Sequence, residues 1–390
     1  MARWVILMCL LLSIVEARGR RNGNVFDVRD YNALASGNTD DTKAFMSAWK
    51  DACKTEGKTT FVIPSGTYML NPIVFSGPCN GQITFELKGT LTAPTNNPSS
   101  DTTWINFRYL DHITVNGGGK LDGQGTSAWG RKNGNPLLMG LGFAFVNNSN
   151  VNNIQSVNSQ NAHISMYQCE NITLSHITIT APSNSPNTDG IKMAKSKGIN
   201  INDVHIATGD DCIAMITGTK NVNISNVYCG PGHGISVGSF GSNTDEFDIQ
   251  DIYVKSCTFN ATSHGVRIKT WPTALTHPLK ASNIVYEDIT IVDVSLPISI
   301  DQEYCPSNKC GKKVSSGVKI SNISYRNIKG TSKGDVAIAF KCSESNPCQN
   351  ISLENIDLKR KRPRRHRTLK NLCFNVRGAS RGIQEPKACW

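Results

Sequence analysis

One pattern recurs through the second half of this chain and limits what it can fold into. The segments NITLSHITIT (171–180), INDVHIATG (201–209), NVNISNVYCG (221–230), IQDIYVKSCTF (249–259), NIVYEDITIVDV (283–294), VKISNISYRNIKG (318–330) and NISLENIDLK (350–359) all alternate Ile or Val with small polar residues. Most open near an Asn, and Gly-rich turns separate them at intervals of 20 to 35 residues. Alternation with a period of two marks strands that bury one face. A unit this short cannot cover its own apolar face, but stacked units share one continuous core. The pattern therefore predicts an all-β chain wound as a single-stranded right-handed parallel β-helix. The hand follows from the rule for parallel crossovers. Asn at equivalent turns predicts a hydrogen-bonded ladder. An antiparallel sandwich fits less well, because the connections are short and regular in their Asn.

One segment departs from this pattern. DDTKAFMSAWKDACK (40–54) sets Ala44, Phe45, Met46, Ala48, Trp49 and Ala52 at helical spacing, behind a predicted N-cap in Asn38-Thr39-Asp40. A short helix here is expected to cover the open N-terminal end of the solenoid, which would otherwise offer unpaired strand edges.

The N-terminus reads as a secretory signal peptide over residues 1–17. Arg3 is basic, Trp4 to Val15 is apolar, and Val15-Glu16-Ala17 suits cleavage. The apolar run is too short to span a bilayer comfortably. The remaining 18–390 reads as one domain, expected to be secreted, free of the membrane once the signal is removed, and monomeric. Of 13 Cys, Cys9 leaves with the signal; the even remainder in an exported chain indicates disulfides. Short spacings favour Cys305–Cys310, Cys342–Cys348 and Cys373–Cys389, with Cys53–Cys79 and Cys212–Cys229 as further pairs. Cys169 and Cys257 are then left either paired or buried as thiols. No CxxC or HxxxH spacing points to a metal. Sequons begin at Asn147, Asn171, Asn223, Asn260, Asn322 and Asn350, and some are expected to carry glycans.

The period also aligns polar residues. Asn187-Thr188-Asp189-Gly190 lies about one coil before Asp210-Asp211, and His233 lies about one coil after. Arg267 and Lys269 follow after a longer coil and, two apart on a strand, share a side. Stacked coils are ~4.8 Å apart. Asp189, Asp210 or Asp211, and His233 should thus form one column, beside two cations. Carboxylates this close cannot all ionise cheaply, so at least one should hold its proton to higher pH. A raised acid next to an ionised base is the pairing that cleaves glycosidic bonds, and the cations suit an anionic sugar.

NTDG, GDD, GHG and RIK in this order resemble the polygalacturonase family of pectin-degrading glycoside hydrolases. The likeness extends through FDVRDY, TDDTKAF, IPSGTY, LDGQG, GPGHGISVGS, GVRIKTW and DQEYC. AFMSAWKDAC is most similar to the exo-acting, pollen-type plant enzymes. The resemblance implies an inverting cell-wall hydrolase without metal or cofactor, cutting α-1,4 links between galacturonates. It implies Asp210 as general acid, Asp189 and Asp211 as the carboxylates that activate water, and His233 as support for the acid. Arg267 and Lys269 then bind substrate carboxylates, and Asn187 and Tyr304 match further cleft positions. Coil spacing would place carboxylates ~5 Å apart, a separation typical of retaining enzymes, whereas the family implies inversion.

Two other readings fit part of the pattern. A catalytically silent pectin-binding wall protein is weighed against by the presence of every motif residue. A rhamnogalacturonan hydrolase is weighed against by the Arg267 and Lys269 pair, which suits consecutive galacturonates. Two stretches depart from the family. DYNALASGNTDD (30–41) replaces the usual YGAxGDGxTDD, which puts a turn in question. KRKRPRRHRTLK (359–370) carries eight Lys or Arg, leaving +3 of the formal +11 for the rest of the chain. No aromatic platform accompanies this insertion, so nucleic acid is not an expected partner; a tolerated loop or a tether to anionic pectin is.

Overall fold

The computed structural model describes residues 24–130, 134–306, 310, 314–361 and 368–390. The signal segment 1–17 and the centre of the basic insertion, 362–367, lie outside the described residues. Within them the chain is a parallel β-helix built on two sheets, one of eighteen strands and one of eleven. In the smaller sheet, neighbours follow chain order from Ile73–Ser76 to Lys370–Phe374, one strand per coil. Every pairing between named strands is parallel, as for Ile191–Ala194 against Ile213–Met215.

The alternating pattern produces this directly. Ile164, Ile191, Ile213, Ile235, Val266, Ile298 and Ile338 are in register up the smaller sheet. Ile172, Ile199, Val222, Ile252, Ile284, Ile323 and Ile351 are in register up the larger one. All are fully buried, each stabilising by ~1.5–3 kcal/mol relative to exposure.

The Asn residues open or bend the strands. Asn153, His176, Asp203, Asn226, Ser256, Asp288, Asn327 and Asn355 form one column, all in the left-handed region with φ of 48° to 54°. Asn tolerates that conformation because its short amide bonds locally. The amides also bond from coil to coil: Asn327 Nδ2 donates to Asp288 Oδ1 at 3.0 Å, and Asn355 Nδ2 to Asn327 Oδ1 at 3.1 Å. The expected ladder is present, and four sequon residues, Asn171, Asn223, Asn322 and Asn350, donate within such rows.

The helix Thr42–Lys54 packs Phe45, Ala48, Trp49 and Ala52 over the first coils. Met46 does not join them; it is 39% exposed, because it lies beyond the edge of the one stripe that Ala44, Phe45, Ala48, Trp49 and Ala52 bury. The cap also differs from expectation. Asp41 occupies the cap position, but its carboxylate accepts the N–H groups of Leu34 and Ala35. Asp40 instead accepts the Thr42 N–H, at 3.0 Å. In the preceding turn two of the family pattern's three glycines are replaced by Asn32 and Ala35, which keep the glycine-type conformation with φ of 70° and 53°.

The five expected disulfides form. Cys169 and Cys257 are buried free thiols, and burial pushes Cys257 up to about 12, which leaves it inert.

Candidate active site

Successive coils of the smaller sheet build the site. Ile191, Ile213, Ile235 and Val266 are paired in register. Two residues before each of them stand Asp189, Asp211, His233 and His264. These four therefore share one column along the solenoid axis. Sequence spacing left Asp210 and Asp211 as alternatives for this column; the register takes Asp211. Asp210, one residue earlier, turns its carboxylate to His233. Sequence reasoning missed His264, although the signal was there: in HGVRIK the His stands two residues before the inward Val266, the place His233 takes before Ile235.

The motif glycines let these turns stack. A Cβ on Gly209, before Asp210, would fall 2.0 Å from the Ser185 carbonyl oxygen. A Cβ on Gly234, after His233, would fall 2.2 Å from the Gly265 carbonyl oxygen, at a φ of 89°. The buried Thr188 hydroxyl accepts the Gly209 N–H at 3.1 Å and lies 2.6 Å from Ser185 Oγ. The Asp189 carbonyl accepts from His163 N–H at 2.8 Å, and the Asp211 carbonyl from Gly190 N–H at 2.9 Å.

The side chains then divide into three sets. His233 Nδ1 lies 3.0 Å from Asp210 Oδ1, which also accepts the Asp211 N–H at 2.8 Å. Asp211 is buried and held from two sides, by Lys269 Nζ at 2.6 Å and Ser236 Oγ at 2.8 Å. Asp189 faces Lys192 Nζ at 3.4 Å. Ser236 and Lys192 were not anticipated. Both belong to the column that includes Arg267, with Lys192, Ala214, Ser236 and Arg267 in register.

The expected side for Arg267 and Lys269 is correct, but their situations differ. Lys269 is ion-paired with Asp211. Arg267 has no carboxylate within ion-pair distance among the described residues. Its guanidinium lies over the Tyr304 ring at 5.0 Å, and Lys269 Nζ lies 5.2 Å from the same ring. Tyr304 thus joins the cluster as an aromatic wall beside Trp271. Asn187 stands exposed at the mouth with φ 54°, and among the described residues its side chain makes no hydrogen bond.

Charge is unevenly held. Burial, reinforced by the neighbouring Asp211, pushes Asp189 from the usual 3.8 up to about 7 against the opposing pull of Lys192. Burial also acts to raise Asp210, but the His233 hydrogen bond and charge outweigh it and hold this carboxyl below its usual value. The Asp210 hydrogen bond raises His233. Burial, with the charges of Arg267, His233 and Lys269, lowers His264 to about 3, so it stays neutral. The raised carboxyl therefore sits on Asp189, while the proton of the Asp210–His233 pair rests on the imidazole. Asp210, Asp211 and His233 present ligand atoms within 4.8 Å of one another, a spacing a cation could use, but Lys269 and the imidazole already face these carboxylates.

This arrangement places a proton donor pair, a carboxylate of raised proton affinity and an aromatic-backed guanidinium in one cleft, the parts required for acid–base hydrolysis of an anionic polymer. The family model for Glycosyl hydrolases family 28 matches residues 53–379. An exopolygalacturonase of Platanus acerifolia is 42% identical, over 94% of this chain and 97% of its own. A polygalacturonase of Gossypium hirsutum is 43% identical, over 98% and 95%. The fold is that of an endo-xylogalacturonan hydrolase from Aspergillus tubingensis, with a TM-score of 0.78 over 92% of this chain and 100% of the other at 23% identity.

Proposed function

The chain belongs to Glycosyl hydrolases family 28, and on that premise we propose that it is an exo-acting polygalacturonase, secreted to the plant cell wall, that inverts configuration at each cut. It is a pectin-degrading hydrolase, as its full-length plant relatives are; exo action, monomeric state, export and the role of each residue are our own reading. No helix among the described residues is long and apolar enough to cross a membrane.

The observation that carries the mechanism is the 3.0 Å contact between His233 Nδ1 and Asp210 Oδ1. The imidazolium stores a proton. As the glycosidic oxygen approaches Asp210, that proton crosses the hydrogen bond and passes through the carboxyl to the leaving oxygen. A water on the opposite face attacks the anomeric carbon and gives its proton to Asp189. A carboxylate with a proton affinity near 7 is a stronger base than an ordinary one, and it acts from its ionised form, whose share grows as pH rises toward 7. Asp211, fixed by Lys269 and Ser236, holds that water in line. Arg267 pairs with a substrate carboxylate while Tyr304 backs it, and neutral His264 offers a ring nitrogen to a hydroxyl one coil further on.

The test mixes the purified protein with polygalacturonate at mildly acidic pH and follows viscosity, product size and, by NMR, the first anomer. Monomer of inverted configuration, released at nearly constant viscosity, is the expected result. A rapid viscosity drop would keep the chemistry and overturn exo action, and a retained anomer would overturn the mechanism. A folded protein that binds without cleaving would bring forward the silent pectin-binding reading.

A further inference from the structure

Each of the three carboxylates in the cleft faces one basic group. Asp210 faces His233 at 3.0 Å, Asp211 faces Lys269 at 2.6 Å, and Asp189 faces Lys192 at 3.4 Å. The two lysines are held differently. Lys269 is buried beside Asp211, whereas 40% of the Lys192 side chain is exposed on the wall of the cleft. Lys192 is the second residue of Ile191–Ala194, and its neighbours in register on the adjoining coils are Ser165 and Ala214. Both are small and uncharged, so the ammonium meets no carboxylate along its own column. Among the described residues Asp189 is the one carboxylate within ion-pair distance of Lys192.

The rest of the surroundings of Asp189 leave this task to Lys192. The coil before it presents Ala162 at the same place, two residues ahead of Ile164. His163 donates its N–H to the Asp189 carbonyl, but its buried ring turns to Ser156 Oγ at 2.8 Å and stays neutral. The coil after it presents Asp211 in the column, with Asp210 beside it. Burial first, then Asp211, favour the protonated form of Asp189, and Lys192 opposes them. Asp210 and Lys269 act more weakly, in opposite senses. Lys269 spends its charge on Asp211, and Asp210 shares a hydrogen bond with His233. A carboxyl that holds its proton cannot take one from water.

We propose that Lys192 is a positioning residue for the attack step: its ion pair keeps Asp189 ionised, and so decides how far into acid the hydrolysis extends. The proposal rests on the reading of Asp189 as the base. Lys192 neither takes nor gives the proton that moves in the reaction. Its charge acts through Asp189, because the other two carboxylates are already matched to His233 and Lys269.

The test measures kcat/KM on polygalacturonate for the full protein, for Lys192→Met and for Lys192→Arg, from about pH 4 to about pH 8, a range that spans the ordinary and the raised carboxyl values. Ionisations that the substitution leaves alone cancel in the ratio of variant to parent. Loss of the ammonium raises the proton affinity of Asp189, so the acid limb of Lys192→Met should move up by ~1 pH unit. That variant should therefore fall ~10-fold behind the parent at the acid end and draw level with it at the alkaline end. Lys192→Arg keeps the charge and should restore the parent profile. The side chain is partly exposed, so the fold should survive both changes. A purely structural role would lower the ratio by one factor at every pH, and a grip on substrate would raise KM at every pH. Either result, with the limb in place, overturns the proposal alone. Asp189→Asn tests the reading beneath it and should lose turnover at every pH. If that variant keeps turnover, Asp189 is not the base, and the proposal falls with that reading.

Discussion

Lys269 Nζ and Asp211 Oδ2 lie 2.6 Å apart, and both side chains are buried. Spacing on the strand predicted a lysine offered to substrate. The folded chain instead uses its charge to make a third carboxylate tolerable in a crowded site. Arg267, two residues earlier, has no carboxylate within ion-pair distance among the described residues and lies over the Tyr304 ring instead.

Lys269→Met should destabilise the fold by ~3–5 kcal/mol, because it strands a buried carboxylate. Arg267→Gln should leave stability within ~1 kcal/mol and mainly raise KM. Urea unfolding of both variants checks this, together with the double variant Lys269→Met/Asp211→Leu, which should recover much of the loss. Equal stability of the Lys269 variant and the parent would show that the pair is not a structural unit.

Asp210→Asn should lower kcat by ~10²–10⁴-fold while oligogalacturonate affinity and melting behaviour stay near those of the parent. His233→Asn should lower kcat as well, and should shift the alkaline limb of the rate profile to lower pH, since the proton store is gone. Near-normal turnover in the Asp210 variant would remove it from the role of acid.

Asp189 gives a pH signature in stability. Its folded value, about 7, is above the usual 3.8, so the folded chain binds an extra proton between those limits. The associated stabilisation is complete below about pH 4 and is lost as pH rises through about 7, roughly 4 kcal/mol in all. Asp189→Asn should flatten the fall in unfolding free energy over that window relative to the parent. Identical slopes for parent and variant would mean that Asp189 is ionised throughout.

Ala35 holds φ at 53° where the family pattern carries glycine. Left-handed backbone costs an ordinary residue ~1–2 kcal/mol, so Ala35→Gly should stabilise by about 1 kcal/mol after the entropy that glycine loses on folding. Thermal unfolding checks the sign. A lower melting point would show that the contacts of the Ala35 methyl outweigh the strain.

What the sequence alone determined is whatever repeats at the coil period. Alternating Ile and Val, Asn at fixed places and glycine-rich turns recur because each coil meets the same physical demand, to bury one face and bend at set points. Stacking and the address of the polar column follow from that; apart from the period, short spacings singled out Cys305–Cys310, Cys342–Cys348 and Cys373–Cys389. What only the tertiary structure decided is where side chains at strand ends point and what they meet on the next coil. Asp211 rather than Asp210 entered the column because register is set by backbone bonds between coils. Lys269 turned to Asp211, 58 residues away, and Tyr109, Phe145 and Tyr167 came into line from separate coils. Met46 faced outward because it lies beyond the edge of the single stripe that the helix buries. No local pattern encodes such contacts, since each depends on the relative placement of residues that the chain brings together only after the solenoid has closed its turns.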